Sequence, residues 1–176
     1  MTTCRALETT YNGCRFRSRA EARWAVYLDR LGLGWDYERQ GYKLPDGSCY
    51  LCDFWVPDLR VLAFHEPGLW LEVKGEQPTL PELDRCWRLG VGLAQPVTCA
   101  VGAPHGPRGA LLRLEYPWRE NHLAVMRCYR CGDTFLDSLE RNEGRCPFCG
   151  YDADEYHPEL VWAAEQARSA RFARAA

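Results

Sequence analysis

A chain of 176 residues, 47% hydrophobic and 12% aromatic, holds enough apolar surface for one packed domain plus a small appendage. Its formal net charge of −2 excludes the strongly basic balance of a non-specific nucleic-acid coat. The polar opening at residues 1–13 and the lack of any run of about 18 apolar residues predict a soluble, cytoplasmic protein with no membrane association.

Charge is nevertheless uneven along the chain. Residues 1–35 carry six Arg against three acids, whereas residues 119–159 carry five Arg against nine, so a phosphate-facing surface is expected in the first part. The first predicted helix spans 18–31: Trp24, Tyr27, Leu28 and Leu31 fall at i, i+3, i+4 and i+7, and Gly32 and Gly34 stop it. Glu21 lies on or beside that apolar stripe, an unusual place for a carboxylate. Two readings stay open: a capping box in which Glu21 bonds the Ser18 backbone N–H, or a functional carboxylate turned toward a sheet.

Short strands are predicted at 35–38 and 41–44, a turn at 45–47, and a strand at 50–56 that carries Asp53. Residues 59–64 read as an extra strand or a loop, and 69–74 as a clear strand. In the latter, side chains alternate, so Glu72 and Lys74 project to one side while Leu71 and Val73 enter the core. Pro81 suits the first turn of a second helix, with Leu83, Trp87 and Leu89 supplying apolar contacts, and strands follow at 96–101 and 110–115. This order predicts an α/β fold, a mixed sheet flanked by helices. The glycine- and proline-rich loop at 102–109, with His105 and Arg108, reads as a surface connection or as a loop near a substrate path.

Beyond this the composition shifts to cysteines and acids. The expected division is a first domain at 1–118, a small metal module at 119–157, and a C-terminal helix and tail at 158–176. Of the ten cysteines, Cys128 and Cys131, then Cys146 and Cys149, form two C-x-x-C pairs with fourteen residues between them, each pair followed by Gly. Four thiolates at this spacing predict a closed, structural Cys₄ Zn²⁺ site, with each Gly relieving a tight knuckle. Zinc binding can contribute on the order of 10 kcal/mol to so small a module. A third pair, Cys49 and Cys52, opens a predicted strand and is read as ordinary strand cysteine. Asn121-His122 beside the knuckles invites an HNH-nuclease reading, set aside because no His lies between Cys131 and Cys146.

If the Asp53 strand pairs with the Glu72 strand, two hard oxygen ligands stand beside an ammonium group, a set suited to Mg²⁺, an attacking water and phosphodiester cleavage. At Phe16-Arg-Ser-Arg-Ala-Glu21-Ala-Arg-Trp-Ala, Asp53-Phe-Trp-Val-Pro and Trp70-Leu-Glu72-Val-Lys74-Gly the chain resembles the PD-(D/E)XK nuclease superfamily. It looks most like the branch with an extra helical Glu, shared by Holliday-junction resolvases and the transposon-end endonuclease subunit. The resemblance covers about residues 15–115; one departure is Cys52, where the family often has Pro before its Asp.

The resemblance implies a restriction-endonuclease-like fold and a Mg²⁺- or Mn²⁺-dependent endonuclease, with DNA as the expected substrate. Asp53, Glu72 and the Val73 carbonyl would hold the ion, and Glu21 a second ion or its water. Lys74 would orient or deprotonate the attacking water and offset transition-state charge. Arg15, Arg17, Arg19 and Arg23 would make positional phosphate contacts. The acidic zinc module is expected to serve structure or protein docking, and a second copy of the chain is a further candidate partner. The alternative, of another class, is a nucleic-acid-binding or assembly protein that keeps the fold without cutting.

Overall fold

The computed structural model describes residues 7–62, 67–105, 112–114, 121–138 and 144–174. Helix α1 (Arg19–Arg30) starts at Ser18, whose hydroxyl accepts from the Glu21 N–H, and ends at Leu31, with Gly32 left-handed at φ 71°. It buries Trp24, Ala25, Tyr27 and Leu28, the face read from the sequence. Before it lies the pair β1 (Thr9–Tyr11) and β2 (Cys14–Phe16); after it come β3 (Asp36–Tyr37), β4 (Gly41–Lys43) and β5 (Cys49–Leu51).

The strand expected at 50–56 is broken. Its first part, β5, pairs with β4 in a separate hairpin, whereas β6 (Phe54–Val56) joins the main sheet between β3 and β8 (Leu69–Lys74). Asp53 stands in the break, immediately before β6. The next elements are β7 (Arg60–Val61), which precedes β8, then α2 (Leu80–Leu93), β9 (Val97–Val101) and β10 (Leu112–Leu114). Helix α2 is opened by a Thr79–Glu82 capping box and buries Cys86 and Leu89, with Leu83 and Trp87 only partly covered. It is the crossover between the parallel strands β8 and β9.

The chain continues through β11 (Asn121–Cys128), β12 (Thr134–Ser138) and β13 (Ala153–Asp154) to α3 (Pro158–Ser169) and β14 (Ala173–Arg174), the last pairing with β1. The main sheet runs β3-β6-β8-β9-β10-β11-β12-β7, with β13 also on β11. Strands β6 and β7 are joined by Pro57-Asp58-Leu59, a link able to span roughly 14 Å. Laid flat, the six steps between them would cover about 29 Å, so the sheet must curl.

The curl encloses the principal core. Phe54, Val56, Leu69, Leu71 and Val73 meet α1, together with Leu123, Val125 and Leu136 from β11 and β12 and Leu160, Ala163 and Ala164 from α3. The opposite face of β6 and β8 packs Trp55 and Trp70, ring centroids 4.8 Å apart, against α2 and the β4–β5 hairpin. Gly68 belongs to this contact: its φ is 116°, and a Cβ would lie 2.1 Å from Trp55 Cη2.

The boundary expected at 118–119 lies outside the described residues. Strand β11 alternates Leu123 and Val125 into the principal core with Ala124, Met126 and Cys128 into the packing around the cysteines. The knuckle strands thus share a sheet and a core with the first part of the chain. Three helices occur among the described residues, none long and apolar enough to cross a membrane.

Candidate functional site

The pairing of β6 with β8 stops at Phe54 opposite Leu71, leaving Glu72–Lys74 without a β6 neighbour. Asp53 closes the ladder with its side chain: Oδ2 accepts the Val73 N–H at 2.7 Å, a place a strand carbonyl would otherwise fill. N–H and C=O of an extended residue face the same edge, so the Val73 carbonyl also faces the Asp53 side. The gap where the strands part is a cleft of about 370 Å³, lined by Arg17, Glu21, Cys49, Tyr50, Leu51, Asp53, Glu72, Val73 and Lys74.

Every side chain expected to be catalytic thus lines one cleft. Asp53, Glu72 and Glu21 are 2%, 4% and 6% exposed. Lys74 Nζ lies 2.8 Å from Glu72 Oε1 and 3.4 Å from Glu82 Oε1, which reaches over from the first turn of α2. Burial alone would lower the Lys74 pKa; Glu72, Glu82 and Asp53 outweigh it and raise it above the ordinary value, keeping the ammonium charged at neutral pH. Asp53 is shifted the other way for an acid. Burial first, then the charges of Glu72 and Glu21, push its carboxyl up to about 7, against the Val73 N–H and Arg17. Glu72 Oε2 is buried with no hydrogen-bond partner among the described residues. A buried, unpaired carboxylate oxygen is costly, and a divalent cation with oxygen preference is a fitting partner for it.

Glu21 is tied to the start of α1 and also lines the cleft. Its Oε1 accepts from Ser18 Oγ at 2.7 Å, as in a cap, but Oε2 takes the N–H of Arg17 at 3.0 Å, one residue before the expected Ser18 donor. The Tyr37 hydroxyl also donates to Oε2, at 2.5 Å. Burial and this bond raise the Tyr37 pKa, so the phenol stays a donor.

Arg17 lies within the site: Nη2 is 2.5 Å from Asp53 Oδ1 and Nε is 2.7 Å from Glu38 Oε1. The other three arginines do not converge there. Arg15 pairs with Glu8, Arg19 is exposed on α1, and Arg23 has its Nε buried without a partner among the described residues.

No family model, curated protein or solved structure matches this chain.

The four knuckle cysteines form a second, separate cluster. Their Sγ atoms all lie within 4.8 Å of one another, with Cys128–Cys149 at 3.5 Å, Cys131–Cys146 at 3.6 Å and Cys131–Cys149 at 3.7 Å. A tetrahedron with Zn–S bonds of about 2.3 Å has edges of about 3.8 Å, so this set can hold a structural metal such as zinc. The knuckles repeat one pattern: Gly132 N–H bonds Cys128 O and Cys128 N–H bonds Asp133 O, just as Gly150 N–H bonds Cys146 O and Cys146 N–H bonds Tyr151 O. Gly132 and Gly150 have φ of 71° and 69°, the left-handed turn that glycine takes at least cost. Burial would raise the Cys128 thiol, but the N–H groups of Cys131 and Arg130 bring it down to about 6, toward the thiolate a metal needs.

Cys49 lines the cleft, whereas Cys52 is buried in the packing around Trp55 and Trp70 and its thiol is pushed up, by burial above all and then by Glu72. That suits packing and not ligation. Tyr37 and Glu38 had no motif to single them out. Glu82 did carry the signal Thr79-x-x-Glu82 of a capping box, which could have placed it beside the end of β8.

Proposed function

We propose that this protein is a Mg²⁺- or Mn²⁺-dependent endonuclease that hydrolyses phosphodiester bonds in DNA, with a restriction-endonuclease-like sheet and a zinc ribbon built on Cys128, Cys131, Cys146 and Cys149. The observation that carries the reading is the meeting of Asp53, Glu72 and Lys74 at the parting of β6 and β8, where Glu72 has a buried oxygen without a hydrogen-bond partner among the described residues. Asp53, Glu72 and the Val73 carbonyl are the groups that would hold the ion, with Glu21 at the rim for a second ion or its water. When bound, the metal supplies Lewis-acid polarisation of the phosphate and a water of lowered pKa.

The chain's own groups do the rest. Lys74, held charged between Glu72 and Glu82, donates to the attacking water or to a non-bridging phosphate oxygen and offsets charge that grows in the transition state. Tyr37 and Ser18 fix the rotamer of Glu21. The ribbon stabilises the fold and presents a surface for a protein partner or a second copy of the chain. Its strands complete the core beneath α1.

The test is incubation of zinc-loaded protein with supercoiled, linear, branched and single-stranded DNA and with RNA, in Mg²⁺ or in EDTA. Cutting of DNA in Mg²⁺ alone supports the proposal; intact substrates throughout oppose it. The second reading, a binding protein that does not cut, draws on the Arg17–Asp53 ion pair, since a permanently neutralised Asp53 would leave the cleft closed to cations.

A further inference from the structure

Asp53 has two oxygens with different commitments. Oδ2 is tied to the Val73 N–H as part of the sheet, so Oδ1 is the oxygen open to a cation, and Arg17 Nη2 stands on it at 2.5 Å. A divalent ion bound to Oδ1 at about 2.1 Å would be close against the guanidinium, and the two positive charges would repel in a poorly solvated place. The lining charges fit an exchange. With Arg17 in place, Glu21, Asp53 and Glu72 face two cations; with Arg17 withdrawn they face Lys74 alone, an excess of two negative charges that matches a divalent ion.

Arg17 holds the cleft from a solvent-accessible position: its side chain is 57% exposed although the carboxylate it holds is buried, and its guanidinium is shared between Asp53 and Glu38. A guanidinium released at the mouth of this cleft is a planar fork suited to two oxygens of a phosphate.

We propose that Arg17 is a displaceable internal counter-ion: it occupies Asp53 Oδ1 until a divalent cation takes that oxygen, and the released guanidinium then binds the backbone phosphate of the nucleic acid. Cation loading and substrate binding are thereby coupled, and each favours the other by the same factor. The inference rests on the reading of the cleft as a divalent-cation nuclease site.

Calorimetric titration of Ca²⁺ into zinc-loaded protein reads the first half, because Ca²⁺ selects oxygen ligands and leaves the thiolate site alone. Arg17→Met is expected to bind Ca²⁺ about ten-fold tighter than the parent. A labelled DNA duplex then reads the second half, in a Lys74→Ala background that keeps the duplex intact. Ca²⁺ should raise the affinity of the Arg17 protein for the duplex by a several-fold larger factor than that of Arg17→Met; equal factors in the two would overturn the release of Arg17 to the phosphate. Circular dichroism and zinc content verify folding, with Arg17→Gln as the replacement if Arg17→Met fails. If the parent binds Ca²⁺ and the Arg17 variants bind it no tighter, the exchange is overturned and the cleft reading stands. If neither binds Ca²⁺, the cleft reading itself falls and the exchange with it.

Discussion

Replacing Asp53 with Asn should make the protein more stable at pH 8 while removing its response to divalent cations. The Asp53 carboxyl is pushed up to about 7 in the folded chain from an ordinary 3.8. An acid with a raised folded pKa holds its proton more tightly folded than unfolded, so stability falls as pH rises between those two values and the loss is complete above pH 7. The full difference is worth about 4 kcal/mol as an upper figure. Asn keeps an oxygen for the Val73 N–H but gives up the Arg17 ion pair, whose exposed partner limits its worth to about 1 kcal/mol. The net gain is at most about 3 kcal/mol, or roughly 6–12 °C in Tm for a chain of this size. Differential scanning fluorimetry at pH 4 and pH 8, with and without Ca²⁺, measures it. The expected pattern is equal Tm values at pH 4, a higher Tm for Asp53→Asn at pH 8, and stabilisation by Ca²⁺ in the parent alone. A lower Tm for the variant at pH 8, or a gain that does not change with pH, would refute the electrostatic reasoning.

Removing the structural metal should unsettle the whole chain and not the ribbon alone, because Leu123, Val125 and Leu136 complete the core around α1. Cys146→Ser is therefore expected to lose bound zinc and lower Tm by more than about 10 °C, whereas Cys52→Ser should keep one zinc per chain by metal analysis. Gly68→Ala forces a Cβ to within 2.1 Å of Trp55 Cη2 at a φ of 116°, and should cost about 2–4 kcal/mol by urea unfolding, with zinc content unchanged. Ser18→Ala removes the hydroxyl that caps α1 and holds Glu21 Oε1, and should cost about 1 kcal/mol in the same measurement.

The elements with strong local signals were legible in the sequence. Helix α1 lies one residue inside each expected end, β8 matches 69–74, and the knuckles sit where C-x-x-C-Gly spacing put them. Strand alternation in β8 set Glu72 and Lys74 on one side, and the order of motifs brought Glu21 and Asp53 to the same cleft. The break at Cys52-Asp53 was not legible, because its cause is the division of 50–56 between the β4–β5 hairpin and the longer-range pairing of β6 with β8, which leaves the apolar pattern of that stretch unchanged. The parallel pairing of β7 with β12 is likewise long-range and only two residues long. For Arg17, the basic run before α1 pointed to phosphate, and sequence alone has no means of telling an arginine aimed at solvent from one resting on a buried carboxylate.

The most direct test of the central claim is a side-by-side cleavage assay of the parent and Lys74→Ala on the DNA substrates in Mg²⁺, with zinc content and circular dichroism measured on the same samples. Mg²⁺-dependent cutting by the parent, none by Lys74→Ala, and equal zinc and fold in both are expected. Equal cutting by the two proteins would contradict the claim.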